Sequence, residues 1–400
     1  MKILLSRYFI MIAGFSIGLA LFNPILYIFL MSQGFSHAEL GVYLGLFFLF
    51  SFLTEVPCGA ITDVIGIKKT LLYSFFLRAI GLILLMSGRF PLLLLSAFIS
   101  AVAESFQSGT LQSWLVNALD DMGKKDALTK IFSRSSVVAS LLTMIVGFIS
   151  SKVLYQYQTH LPIMISSGVF VVLFLLVLGL FSESPQEKRV DLSDVMRESF
   201  HIFKQSVKEL VLIREFKYLV ILMLLPSILD VGPSNQWQEV FSIQSLSYLN
   251  GYIWVLISLA GIIGSYISGK TSAIKNNLKV IIALLLLSIL LVISMSIITP
   301  SVITLALFLL YIISFTILSI RISISLHTDI VSNNDHRTTI VSIFYALESL
   351  VMSLVVSING WLSDMTSVLN AWLLFALGVG LIMTVIMVRF LCDKKPMVEK

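Results

Sequence analysis

The chain alternates between long apolar runs and short polar breaks, and that alternation limits what it can fold into more than any other feature. A bilayer core needs roughly 20 apolar residues per helix. Runs of about that length fall near 8 to 31, 38 to 58, 70 to 88, 91 to 114, 132 to 152, 162 to 181, 217 to 237, 248 to 269, 278 to 298, 301 to 325, 339 to 361 and 369 to 391. With 58% hydrophobic and only 12% charged residues and a mean hydropathy of +0.98, too little polar surface exists to cover a soluble core. The expected fold class is an all-α membrane protein, with 12 transmembrane helices in two six-helix bundles at 1–181 and 217–400.

Charge placement orients the chain. If both termini are cytoplasmic, all but four of the 27 basic residues lie on the inner side or in the central linker. The four are Arg78 and Arg321 inside apolar runs, with Arg89 and Lys152 on the outer side. The net charge of +5 is therefore a topology signal; no contiguous basic face exists to meet nucleic acid. Lys2 and Arg7 precede an apolar run that reaches about Met31 without a small-residue cleavage pattern, so a retained first span is expected. The expected location is a cytoplasmic (inner) membrane, and the expected state a monomer.

The segment 182–216 is the long polar interruption. Val195, Met196, Phe200, Phe203, Val207, Leu210 and Val211 recur at near-helical spacing between basic residues. That pattern suits an amphipathic helix on the cytoplasmic leaflet, and a flexible tether serves equally. The two halves read as distant repeats: a shift of about 209 carries the first helix onto the seventh and brings Asn23-Pro24 near Asp230 and Pro233.

An ionisable group inside a membrane is costly, so each one is a candidate for function. Glu55, Arg78, Glu104, Asp230, Arg321 and Glu348 are the six. Folding the second and third helices about Gly66-Ile67 puts Glu55 and Arg78 level; folding the third and fourth about Arg89-Phe90 offsets Arg78 from Glu104 by roughly 4.5 Å. A cluster of Glu55, Arg78 and Glu104 is expected. The same count separates Arg321 from Glu348 by roughly 6 Å, and Arg321 has the alternative of snorkelling to the surface. Asp230 has no basic partner in sight and sits beside Pro226 and Pro233, whose missing backbone donors leave a polar lining. An acid without full compensation can take up and release a proton as a cavity faces either side, so all these groups are coupling candidates. Asn23, Gln107, Trp114, Asn235, Gln236 and Trp237 stand out as polar or amphipathic residues on greasy helices and are candidates to line a mixed apolar and polar cavity.

Other chemistry finds little support. His37, His160, His201, His327 and His336 are scattered without metal spacing, Cys58 and Cys392 suit packing, and no P-loop occurs. No enzyme activity, metal or cofactor is expected.

The stretch from Gly59 to Leu71, Gly-Ala-Ile-Thr-Asp-Val-Ile-Gly-Ile-Lys-Lys-Thr-Leu, reads as a polar turn between two apolar segments. It resembles the major facilitator superfamily, whose signature between its second and third helices is Gly-x-Leu-Ala-Asp-Arg-x-Gly-Arg-Lys. Gly59, Asp63, Gly66 and Lys68 fall on that pattern, while Val64 and Ile67 replace its arginines. Gly59 is expected to allow close helix approach, Gly66 a positive φ, and Asp63 to offer an acceptor at a helix end. The equivalent stretch Gly264 to Asn277 keeps Gly264, Gly269 and Lys270 but no acid. Ala103 to Thr110 is similar to the fourth helix of bacterial members that export drugs or toxins. The Gly-Pro-rich fifth-helix signature of proton antiporters is missing, with Gly147 alone amid Val, Leu and Ser; Glu183-Ser184-Pro185 matches only the middle of a sugar-porter motif. The resemblance implies the superfamily fold and a secondary transporter working by alternating access, with the Asp63 turn as a gating latch. Proton-coupled efflux of a small amphipathic or antimicrobial compound is the first expectation, with substrate, protons and the bilayer as partners. A proton-coupled nutrient importer and a non-transporting membrane sensor are the alternatives.

Overall fold

A computed structural model describes residues 1–181, 197, 214–242, 250–271, 277–298, 301–328 and 337–393. Each described regular element is a helix, as a backbone in hydrocarbon requires. The first unit contains α1 (Lys2–Phe22), a 3-10 turn (Asn23–Ile25), α2 (Leu26–Ser32), α3 (His37–Ile65), α4 (Ile67–Leu85), α5 (Phe90–Gln107), α6 (Thr110–Asp121), α7 (Leu128–Ile149), a π-helical turn (Ser150–Leu154), α8 (Tyr155–Tyr157) and α9 (Leu161–Leu180). There follow α10 (Arg214–Ser242), α11 (Asn250–Lys270), α12 (Asn277–Ile297), α13 (Val302–Thr328), α14 (Arg337–Met365) and α15 (Val368–Asp393).

Ten helical stretches among the described residues are long and apolar enough to cross a membrane. Twelve were expected from the runs. The other two are α4, which carries Lys68, Lys69 and Arg78, and α10, which contains Pro226, Asp230 and Pro233. The central linker expected to be an amphipathic helix lies, apart from Arg197 and the start of α10, outside the described residues.

The chain divides into two compact units. One comprises Met1–His201 with Tyr248–Ser258; the other comprises Ile202–Ser247 with Leu259–Lys400. The first turns of α11 join the first unit because the Trp254 indole donates to the Thr143 carbonyl at 3.1 Å and Gly251 lies against Lys152. Within the first unit α4 packs on α5 and α9, α3 on α5, and α1 on α7 and α9; within the second, α12 packs on α13 and α15, and α10 on α14 and α15.

Lipid gives helices no hydrophobic reason to associate, so close packing and hydrogen bonds must do it. Small residues supply the approach: a Cβ at Gly81 would strike Ser100, and one at Gly18 would strike Phe170. Hydroxyls stitch the same seams, Ser96 to the Gly81 carbonyl at 2.7 Å, Ser74 to Ala103 at 2.8 Å and Ser166 to Gly18 at 2.7 Å.

Several boundaries differ from the sequence reading, three of them near the candidate residues of the first unit. The α3 helix starts in a reciprocal Ser36–Glu39 cap and runs through Pro57 to Ile65, so Gly59 and Asp63 belong to its last turns. The expected polar turn is a single-residue hinge at Gly66, with φ +83°, before α4 begins. That conformation suits glycine because it has no Cβ to clash. The fourth span reaches Asp121 and is broken at Ser108-Gly109, where Gly109 takes φ +69°. The first span begins at Lys2 and is interrupted at Asn23-Pro24, because proline has no N–H to donate to the helix.

Candidate functional site

The Gly66 hinge and the Gly109 break both flank α3, α4 and α5, and the intramembrane charges of the first unit gather on these helices. Arg78 projects from the middle of α4 with only 6% of its side chain exposed, and its Nη2 donates to Glu104 Oε2 on α5, forming an ion pair. Glu104 is 41% exposed. Glu55 on α3 accepts from the Ser108 hydroxyl at 3.2 Å, where the helix break swings Ser108 into the open, and Thr54 meets Ser105 at 2.8 Å. The three expected members are thus divided between two contacts: a salt bridge for Glu104 and a hydroxyl for Glu55. Ser108 could not be anticipated from periodicity, because an unbroken helix would turn it elsewhere.

In the second unit Asp230 lies in mid-α10 and accepts from the Tyr311 hydroxyl on α13 at 2.7 Å. Tyr311 is fully buried. Among the described residues no base pairs with it, as the sequence suggested; the tyrosine was not legible, since α10 and α13 are not neighbours in sequence and no hairpin count relates them. Glu348 on α14 accepts from the Ser227 hydroxyl of α10. The expected pairing of Arg321 with Glu348 gives way to other partners. Arg321 is 2% exposed rather than snorkelling, and its Nη2 donates to the Thr271 carbonyl and, at 2.9 Å, to the Thr271 hydroxyl. It therefore caps the C-terminal end of α11, where a cation meets the negative end of the helix dipole.

The cavity candidates scatter. Asn23 is exposed in the 3-10 turn and Gln107 is half-buried at the end of α5. Trp114 stacks obliquely on Phe181 with ring centres 4.7 Å apart, and Asn235 turns back to the Val231 carbonyl at 2.8 Å. Trp237 is buried, 5% exposed. Gln236 is fully enclosed: its amide nitrogen donates to Ser363 at 2.9 Å, and its oxygen accepts from Asn359 at 3.0 Å and Trp372 at 2.9 Å. That side chain ties α10 to α14 and α15. Glu239, half-buried on α10 with an enclosed carboxylate oxygen, was missed because it lies just past the expected end of the seventh run.

Of the signature residues, Gly66 takes the positive φ and Lys68 opens α4. Gly59 departs from expectation, since a Cβ there would meet nothing within 4 Å. Asp63 is exposed in the last turn of α3. Among the described residues no three His, Cys, Asp or Glu side chains are grouped to hold a metal.

A family model described as Major Facilitator Superfamily matches residues 8–356. The uncharacterized MFS-type transporter YxaM of Bacillus subtilis (strain 168) is 24% identical over 250 residues, which cover 60% of this chain and 59% of that protein. The match thus spans less than two thirds of the relative's length. Among solved structures, the nucleoside transporter NupG is similar over 97% of this chain and 99% of its own, with 16% identity and a TM-score of 0.78. The human organic anion transporter MFSD10 (TETRAN) is similar over 96% and 99%, with 15% identity and a TM-score of 0.63.

Proposed function

Because the chain belongs to the Major Facilitator Superfamily, we propose that it exports a small amphipathic organic solute from a bacterial cell by alternating access, driven by protons. Its work is then transport across the cytoplasmic membrane as a monomer with both termini inside, and not catalysis. The two six-helix halves at 1–181 and 217–400 form the moving parts, and Gly59, Asp63, Gly66 and Lys68 form the gating turn.

One observation carries the proton coupling. Asp230, Glu348 and Glu55 each take a hydrogen bond from a neutral hydroxyl, of Tyr311, Ser227 and Ser108 respectively. A hydroxyl can donate to a carboxylate and can also accept from a carboxylic acid. Each acid therefore keeps its partner whether or not it holds a proton, which suits a group that must do both in one cycle. Glu104 differs, because its partner, the Arg78 guanidinium, can only donate. It serves as a positioning residue that fixes α4 against α5.

Export is favoured by the likeness of Ala103 to Thr110 to drug- and toxin-exporting members. Uptake is the second reading, favoured by the fold shared with a nucleoside transporter; the same cycle runs either way according to the gradients. Cells producing the chain are loaded with ethidium or supplied with labelled uridine, each with and without a proton uncoupler. Uncoupler-sensitive loss of ethidium supports export, and uncoupler-sensitive gain of uridine supports uptake. Asp230→Asn is expected to lower either flux at least tenfold; wild-type flux in this variant refutes the coupling role.

A further inference from the structure

A groove of ≈ 630 Å³ lies between α1 and α9 in the first unit. Its walls include Ile10, Gly14 and Ile17 of α1 and Ile165, Gly168 and Val172 of α9. Each of these is apolar, and Ile10, Ile165 and Val172 stand 42%, 37% and 54% exposed. A path for a polar solute needs hydrogen-bonding groups along it, and this wall offers none. A hydrocarbon chain needs none.

The groove has the length of such a chain. From Ile165 to Leu176, its extremes on α9, a helix rises about 16 Å, against about 15 Å for half of a 30 Å bilayer core. The gap between the helices is open on the α9 side, where a glycine stands in place of a side chain. At Gly168 a Cβ would meet nothing within 4 Å, whereas Gly14 lets Leu173 close the floor.

Arg7 stands at the N-terminal end of the same face. It precedes Ile10 by three residues and Gly14 by seven, the spacing of neighbours along a helical stripe. Its Nε is enclosed without a partner, and among the described residues the side chain makes no hydrogen bond or ion pair. A planar guanidinium without a protein partner among the described residues, about one turn beyond an acyl-length groove, matches a phosphate group bound through its two terminal nitrogens.

We infer that the α1–α9 groove binds one phospholipid, with an acyl chain along Gly14 and Gly168 and its phosphate on Arg7. The lipid fills a packing gap in the first unit and fixes the depth of α1 in the leaflet nearest the N-terminus.

The test is native mass spectrometry of the purified, delipidated full chain titrated with phosphatidylglycerol. Gly168→Leu puts a side chain into the groove from a position where the Cβ meets nothing within 4 Å, and adds a good helix former. Arg7→Gln removes the charge and leaves the groove intact. Gly179→Leu, at an equally open position of α9 outside the groove, is the control. The wild type and Gly179→Leu are expected to retain one lipid with affinities within twofold of each other, and Gly168→Leu and Arg7→Gln to bind at least tenfold more weakly. Wild-type retention in either Gly168→Leu or Arg7→Gln overturns the inference, as does an equal loss in Gly179→Leu.

Discussion

The Arg78–Glu104 pair is asymmetric, and the asymmetry predicts which half of it is dangerous to remove. Arg78 shows 6% of its side chain and Glu104 shows 41%. Replacing Glu104 by Met leaves a guanidinium buried between α4 and α5 with its counter-charge gone. Removing one partner of a buried pair costs about 3–5 kcal/mol, most of it the uncompensated charge. Replacing Arg78 by Met leaves a carboxylate that faces open space; if that space holds water, the loss resembles that of a half-exposed ion pair, about 1 kcal/mol. The double Met variant removes both charges together and is expected to be more stable than Glu104→Met alone, since a buried pair replaced by apolar groups of similar volume is often neutral. For a unit of roughly 200 residues each kcal/mol moves the melting midpoint by about 2–4 °C. Glu104→Met should therefore melt about 6–20 °C below wild type in detergent, and Arg78→Met about 2–4 °C below. Equal losses in the two single variants would show that the open side of Glu104 meets hydrocarbon. That result, or a double variant worse than both singles, refutes the reasoning.

Glycine substitutions separate backbone demand from packing demand. Gly66→Ala should lower stability by about 1–2 kcal/mol, because φ +83° at the α3–α4 hinge places a Cβ against the carbonyl; thermal melting measures it. Gly81→Leu should cost about 1–3 kcal/mol or more by driving α4 off Ser100, while Gly59→Ala should be neutral or slightly stabilising, and equal melting of the two contradicts the packing described. Gln236→Leu leaves Asn359, Ser363 and Trp372 without their shared partner and should destabilise the second unit by about 1–3 kcal/mol; an unchanged midpoint shows that the knot is not holding α10.

Several elements were legible because their cause is local. Backbone hydrogen bonds in a helix close within four residues, and apolar runs of about 20 residues are the length a helix needs to cross hydrocarbon, so they read directly as helices. Gly66 was legible as a positive-φ hinge for the same reason. The Arg78–Glu104 contact was within reach of a count along the hairpin of adjacent helices, which offset the two by only roughly 4.5 Å. The length of α3, running through Pro57 to Ile65, was not legible, because the proline inside it reads as a break. Nor was the Ser108-Gly109 break, which decides that Glu55 meets a serine.

By itself, then, the sequence determined that the chain lies in a membrane, roughly where its spans fall, and which spans carry charge. The partners of those charges were decided only in three dimensions. Tyr311 reaches Asp230, Ser227 reaches Glu348 and Thr271 receives Arg321 across separations of 81, 121 and 50 residues. Contacts between helices that are not joined by a short turn depend on how whole faces pack, and packing is set by shape summed over many side chains, which no local pattern encodes.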